Sequence, residues 1–197
     1  MTAPIAVLCH EKHGDVVRRV RQMTLTPQNL RIFWEKSKGF KTLFTEEVNG
    51  DFKKFLEVFL HQTPDGGVEA NGLFWVVDDF VGVLYLTDII PKVDALAHFT
   101  FFDRGLRGRE DLVKQMLEFG FRRYRFHRMS VIVALYANPA TFKFVERLGF
   151  KWEGRKRSCR QYNGQWFDAN LYGILSDEVL NATPSENGGR RPGNWTR

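Results

Sequence analysis

Apolar positions over the first 60 residues recur at helical spacing. Asp15 to Met23 places Val16, Val17 and Val20 on one stripe, and Thr26-Pro27 sets a capping residue before a proline suited to a first helical turn. A third helix is predicted from Asp51 to His61. Beyond the turn residues Thr63-Pro64-Asp65-Gly66-Gly67 the pattern becomes β-rich, and Leu73 to Val77 and Val81 to Thr87 form a predicted hairpin across Asp78-Asp79. Leu96 to Phe102 reads as another strand. Arg104 to Arg109 then leads into a helix whose Leu112, Met116 and Phe119 share one face. Met129 to Leu135 has almost no polar alternation, as expected of an interior strand covered on both faces. A helix starting near Pro139 carries Thr141, Phe144, Val145 and Leu148 on one stripe and stops at Gly149. The strongest local signal is Asn163-Gly164 between Arg157 to Tyr162 and Gln165 to Ile174, because Asn-Gly supplies both positive φ angles of a type I′ turn.

Length and composition narrow the class. At 197 residues, 43% hydrophobic and 26% charged, the chain suits one globular domain. We expect that domain to span 1–182, with a helical N-terminal portion over 1–62, and a mobile basic tail over 183–197, where Pro, Gly, Ser and Arg replace apolar residues. The 18 phenylalanines fall mainly at core positions of these patterns. A net charge of +6 favours anionic partners. Cys9 and Cys159 offer neither a disulfide framework nor a metal-ligand spacing, and no targeting segment opens the chain, so a cytoplasmic protein is expected. The longest uncharged stretch, Met129 to Phe142, is shorter than the roughly 20 residues a spanning helix needs, so no membrane association is expected. His10 and His13 near the N-terminus make a poor metal site by themselves, and no metal is implied.

The candidate chemistry begins at Arg104-Gly105-Leu106-Arg107-Gly108-Arg109. A glycine loop that opens a helix aims backbone N–H groups and a positive helix end at an anion, and three arginines strengthen a phosphate reading. Without the lysine and Ser/Thr of a Walker loop, kinase and ATPase chemistry falls away.

The sequence of hairpin, strand, basic glycine loop, helix, interior strand, helix and final hairpin resembles the GNAT superfamily of acyl-CoA-dependent N-acetyltransferases. The resemblance is closest to the branch of ribosomal-protein alanine acetyltransferases. It is carried by Phe121 to Met129, Asn138-Pro139-Ala140-Thr141, Val145 to Phe150, Glu153-Gly154-Arg155, and Gly164, Asp168, Tyr172 and Gly173. It implies an α/β fold whose mixed, mostly antiparallel sheet splays between two parallel central strands. Acetyl-CoA would lie in that gap as cosubstrate and pass its acetyl group directly to a primary amine of a protein N-terminus, a lysine or a small molecule, the enzyme being a monomer or homodimer. On this resemblance, main-chain groups of Phe101 and Phe102 grip the pantetheine and the acetyl carbonyl. Arg104, Gly105, Leu106, Arg107, Gly108 and Arg109 cradle the pyrophosphate, and Asn138 contacts the cofactor arm. Thr141 takes the family's serine position as proton donor to the departing thiolate, with Tyr136 as runner-up.

The general base is chosen by position from His98, Asp103 and Glu110, with His98 preferred. The loop departs from the family pattern Gln/Arg-x-x-Gly-x-Gly/Ala, because counting from Arg104 its two glycine positions hold Arg107 and Arg109. That departure motivates a second reading, a non-catalytic module of the same fold. A third and weaker one, a nucleic-acid binder, rests on the basic stretch from Arg104 to Arg128. The helical N-terminal segment is expected to wall the acceptor site. Its small excess of basic over acidic residues disfavours polycationic amines, which need carboxylate partners once desolvated.

Overall fold

The computed structural model describes residues 5–10, 14–40, 42–44, 48, 50–103 and 105–181. Its chain order is β1 (Ile5–Cys9), β2 (Val16–Met23), α1 (Pro27–Ser37), α2 (Phe52–Phe59), β3 (Leu60–Gln62), β4 (Val68–Ala70), β5 (Leu73–Val77), β6 (Gly82–Ile90), β7 (Asp94–Phe101), α3 (Arg109–Tyr124), β8 (Arg128–Ala134), α4 (Pro139–Arg147), β9 (Lys151–Tyr162), β10 (Gln165–Leu175) and α5 (Ser176–Leu180). Tail residues 183–197 lie outside the described residues.

The helical reading of Asp15 to Met23 is overturned. Val16 to Met23 is a strand, paired with β1 on one side and β5 on the other. Its inward positions follow a period of two through Val16, Arg18 and Val20. An arginine in the middle of that series hid the alternation, while the β-branched valines favour the strand. Thr26 caps α1 as expected, its hydroxyl accepting from the Asn29 N–H at 3.2 Å, and Asp51 caps α2 by accepting from Lys53 and Lys54. Asn163 and Gly164 both take positive φ, +50° and +71°, so the closing hairpin turns as its sequence predicts.

The main sheet has eight strands in the order β1-β2-β5-β6-β7-β8-β10-β9. Every neighbouring pair is antiparallel except β7 and β8. Trp75, Leu84, Ala97, Val131 and Tyr172 bury one face against α3 and α4, while Phe74, Val76, Val83 and Tyr85 bury the other against α1 and α2. The second layer is built largely of aromatic rings, which accounts for much of the phenylalanine content. Fully buried Phe33 meets Phe44, Phe55, Phe59, Phe74, Tyr85 and Phe102 at centroid distances of 5.5 to 6.5 Å.

β7 and β8 meet at one backbone pair, Leu96 with Ser130, and then part toward their C-terminal ends. The closed end of this fork is clasped. Ser130 Oγ donates to both Asp94 carboxylate oxygens at 3.1 and 3.0 Å, and Arg128 Nη2 donates to Glu153 at 2.6 Å while its Nε lies 3.4 Å from Asp94. Gly173 gives this cluster its room, because a Cβ there would stand 2.6 Å from Arg128 Nη2.

Candidate active site

The open end of the fork is where the chain gathers chemistry. The segment after β7 leads into α3 and the segment after β8 leads into α4, so both helices begin there. Phe102 donates its N–H to Val81 in the turn before β6, at 2.9 Å. Hydrogen-bonding direction alternates along an antiparallel strand, so the main-chain groups of Phe101, and of Phe99 before it, turn to the opposite edge and into the fork. Of the two main-chain contacts expected from the sequence, Phe101 is therefore well placed and the Phe102 N–H is already committed. Phe99, two residues before Phe101 and absent from the sequence-based expectation, shares that orientation.

Arg104 lies outside the described residues. In the rest of the loop, Asp103 Oδ1 accepts the Gly105 N–H at 2.8 Å and Leu106 is buried as an anchor. Gly108 adopts φ +74° immediately before α3 and brings no side chain to cap the helix. The first-turn amides of α3 thus point outward, flanked by Arg107 and Arg109, which is a fit for a phosphate group. A glycine does stand at the helix mouth, one residue beyond the position the family pattern assigns.

The N-terminal strands brace this loop, a role that local sequence did not reveal. Arg18 pairs with Asp78 at 3.1 Å and donates Nη2 to the Arg107 carbonyl at 3.1 Å. Arg107 Nη2 reaches the Gly14 carbonyl at 3.4 Å, and the His10 N–H donates to Asp111 at 2.8 Å. β1 and β2 lie at the sheet edge beyond β5, and the face beside the fork is covered by α1, α2 and the segment between them, where Phe40 meets Phe102 at 5.6 Å.

On α4, Asn138 Oδ1 accepts the Ala140 N–H at 2.9 Å and so caps the helix, while the Asn138 carbonyl accepts the Thr141 N–H at 2.8 Å. Thr141 is half-buried in that first turn at the open end of the fork. Tyr136, in the turn leaving β8, stacks on Tyr162 at 4.8 Å and meets the edge of Phe167 at 5.3 Å.

The three base candidates separate clearly. Glu110 is bound to Lys114 at 2.7 Å and Arg147 at 3.0 Å, tying α3 to α4. Burial pushes its pKa up, but these two cations outweigh it and hold the carboxyl below the ordinary value, with one oxygen on each cation. Asp103 shapes the loop. His98 lies on the face toward α1 and α2, its ring stacked on Tyr85 at 4.3 Å and its Nε2 2.9 Å from Thr87 Oγ1. Burial, with a contribution from the Arg160 charge, lowers its pKa to about 4, so it is neutral near pH 7.

The chain matches the Acetyltransferase (GNAT) domain over residues 31–171, well over half its length. The chain belongs to this family. Among curated proteins, the "Probable N-acetyltransferase YjcK" of Bacillus subtilis (strain 168) is 27% identical over 112 residues, covering 54% of this chain and 61% of the relative. The matched stretch therefore falls short of two thirds of that protein. Among solved structures, a chimera of the spermidine N-acetyltransferase SpeG from Vibrio cholerae with hSSAT superposes with a TM-score of 0.65 at 20% identity, over 82% of this chain and 98% of that one. A dodecameric structure of the Vibrio cholerae enzyme gives 0.63 at 20% identity, over 82% and 96%. At these identities the likeness establishes the GNAT fold.

Within that GNAT fold the remaining chemistry reads as structural. Much of the basic stretch considered for nucleic acid is α3, where Lys114 pairs with Glu110 and Arg122 with Glu118. Cys9 is buried and Cys159 half-buried, and among the described residues the two form no disulfide. Among the described residues no group of three or more His, Cys, Asp or Glu could hold a metal ion, and no helix is long and apolar enough to cross a membrane.

Proposed function

We propose that this chain is an acetyl-CoA-dependent N-acetyltransferase that passes the acetyl group directly to a primary amine of a small molecule or a protein, and that neutral or anionic amines are preferred to polycations. The observation that carries the proposal is the fork. A parallel strand pair joined at one residue pair leaves main-chain groups of Phe99 and Phe101 without a strand partner, beside a helix mouth that suits a phosphate.

Acetyl-CoA would supply the thioester. The α3 first-turn amides with Arg107 and Arg109 hold its phosphates, Asn138 lies along its arm, and a main-chain N–H at Phe101 supports the acetyl oxygen as negative charge develops there. Thr141 would pass its hydroxyl proton to the sulfur that leaves and take in its place the second proton that the acylated nitrogen gives up. The attacking amine must shed a proton, and His98, neutral and in contact with Thr87, relays it toward the exposed carboxylate of Asp88, 3.5 Å from Thr87 Oγ1. With so low a pKa, His98 passes a proton on and does not retain it.

Titration calorimetry with acetyl-CoA and desulfo-CoA, followed by a thiol-release assay over a panel of amines, tests this reading. Saturable binding is expected, and the Arg107→Ala, Arg109→Ala double variant should weaken it about 10- to 100-fold and flatten its salt dependence. No saturable binding at millimolar acetyl-CoA would end the proposal. Thr141→Ala should lower kcat about 100-fold with little change in acetyl-CoA affinity, and Thr141→Ser should restore most of it. Equal kcat for wild type and Thr141→Ala would leave the threonine a packing residue.

A further inference from the structure

The acceptor side of the fork contains a cation that has no carboxylate partner among the described residues. The faces of the sheet can be assigned from the core. Tyr172 and Ile174 of β10 and Ala95 and Ala97 of β7 pack on the α3 side, so Phe167, Ala169 and Leu171, like His98, lie on the opposite face. Arg160 sits directly across from Phe167 in the β9–β10 ladder and shares its face. Phe167 touches Tyr136, which in turn stacks on Tyr162. This places Arg160 next to the aromatic wall at the open end of the fork, on the side from which an amine must approach if the acetyl group comes from the α3 side.

Arg160 is half-buried, and among the described residues its hydrogen bond runs from Nη1 to the Cys159 carbonyl at 3.0 Å. Arg128, similarly covered, holds both Glu153 and Asp94. The same face of β8 and β10 presents Ser130, Ile132, Ala134, Phe167, Ala169, Leu171 and Gly173, none of them acidic. Lys156, across from Ala169, adds a second positive charge. A partly desolvated guanidinium presents a rigid fork of donors that matches a carboxylate, and the described residues leave most of those donors unused.

We propose that Arg160 binds an anionic group of the acceptor, so that the preferred acceptor is an amine carrying a carboxylate on the same molecule. This deepens the acetyltransferase reading and rests on it. A polyamine would bring ammonium groups against Arg160 and Lys156, and β8 and β10 present no acidic side chain on this face to receive them.

The test is a thiol-release assay on matched pairs: β-alanine against β-alaninamide, glutamate against glutamine, and short peptides with an acidic or an amidated second residue. The free amino acids and the peptides distinguish the two sources of carboxylate. We expect kcat/KM about 10- to 100-fold higher for the carboxylate member of at least one pair, the range of a charge-assisted hydrogen bond lost from a covered site. Arg160→Gln should abolish that preference, so that the two members of a pair react at the same rate, and Arg160→Lys should retain part of it. Calorimetry with the N-acetylated carboxylate product should show the same loss of affinity in Arg160→Gln, with an unchanged melting temperature as the control for folding. Equal rates within every pair, a preference that survives Arg160→Gln, or spermidine outrunning every carboxylate would each overturn the inference, as would acetyl-CoA binding without transfer to any amine in the panel. A protein that binds no acetyl-CoA would instead overturn the reading beneath it.

Discussion

Phe33→Ala should lower the melting temperature by about 10 °C. The ring is fully buried and has aromatic neighbours on α2, β5, β6 and the segment after β7, so its removal leaves a cavity that several elements would have to move to fill. Phe-to-Ala changes at such sites cost about 3–5 kcal/mol, and in a chain of this size each kcal/mol lowers the midpoint by about 2–4 °C. The loss would concentrate in the layer of α1 and α2 that covers this face of the sheet. Ile32→Ala, one residue away and 41% exposed, should change stability by no more than about 0.5 kcal/mol. Thermal denaturation of both variants checks the contrast, and a Phe33→Ala midpoint within about 2 °C of wild type would mean that this layer is looser than its packing shows.

The second large effect is a dependence of stability on pH centred on His98. Its pKa is lowered from 6.5 to about 4, so the folded protein favours the neutral ring and the unfolded chain takes up the proton first. The stabilising contribution is complete above about pH 6.5, and it is lost progressively as the pH falls from there to about 4. A tenfold difference in proton affinity between the folded and unfolded chain corresponds to about 1.4 kcal/mol, and His98 is half-buried, so we expect a loss of about 2–3 kcal/mol across that interval. His98→Gln should remove most of this slope, as read from denaturant midpoints at pH 4.5, 5.5 and 7. Parallel slopes for wild type and variant would assign the acid sensitivity to other groups.

What the sequence made legible divides along the range of the interactions. The Asn163-Gly164 turn, the Thr26 cap and the strand–loop–helix order around Gly108 are set by neighbours within a few residues, and all are present. β2 was misread because Arg18 occupies an inward position, and its reason for facing inward, Asp78, is 60 residues away. Glu110 stands among the base candidates by position, and the partner that engages it, Arg147, lies on another helix 37 residues away. Arg160 could not be selected at all. Two register shifts in the β9–β10 ladder decide which of its many basic neighbours faces the fork, and nothing in the local sequence of β9 gives their position.

The clasp of Arg128, Asp94, Ser130 and Glu153 makes the fork a lever with a fixed pivot. Strands advance about 3.3 Å per residue, so Phe99 stands about 10 Å beyond the Leu96–Ser130 pair and Phe102 about 20 Å. Any rotation about the pivot therefore moves the outer position twice as far as the inner one. An acyl chain longer than acetyl could be admitted cheaply only if it extended toward the tips. Near the pivot the spacing is held by ion pairs, and there a single extra methylene would meet the full stiffness of the clasp.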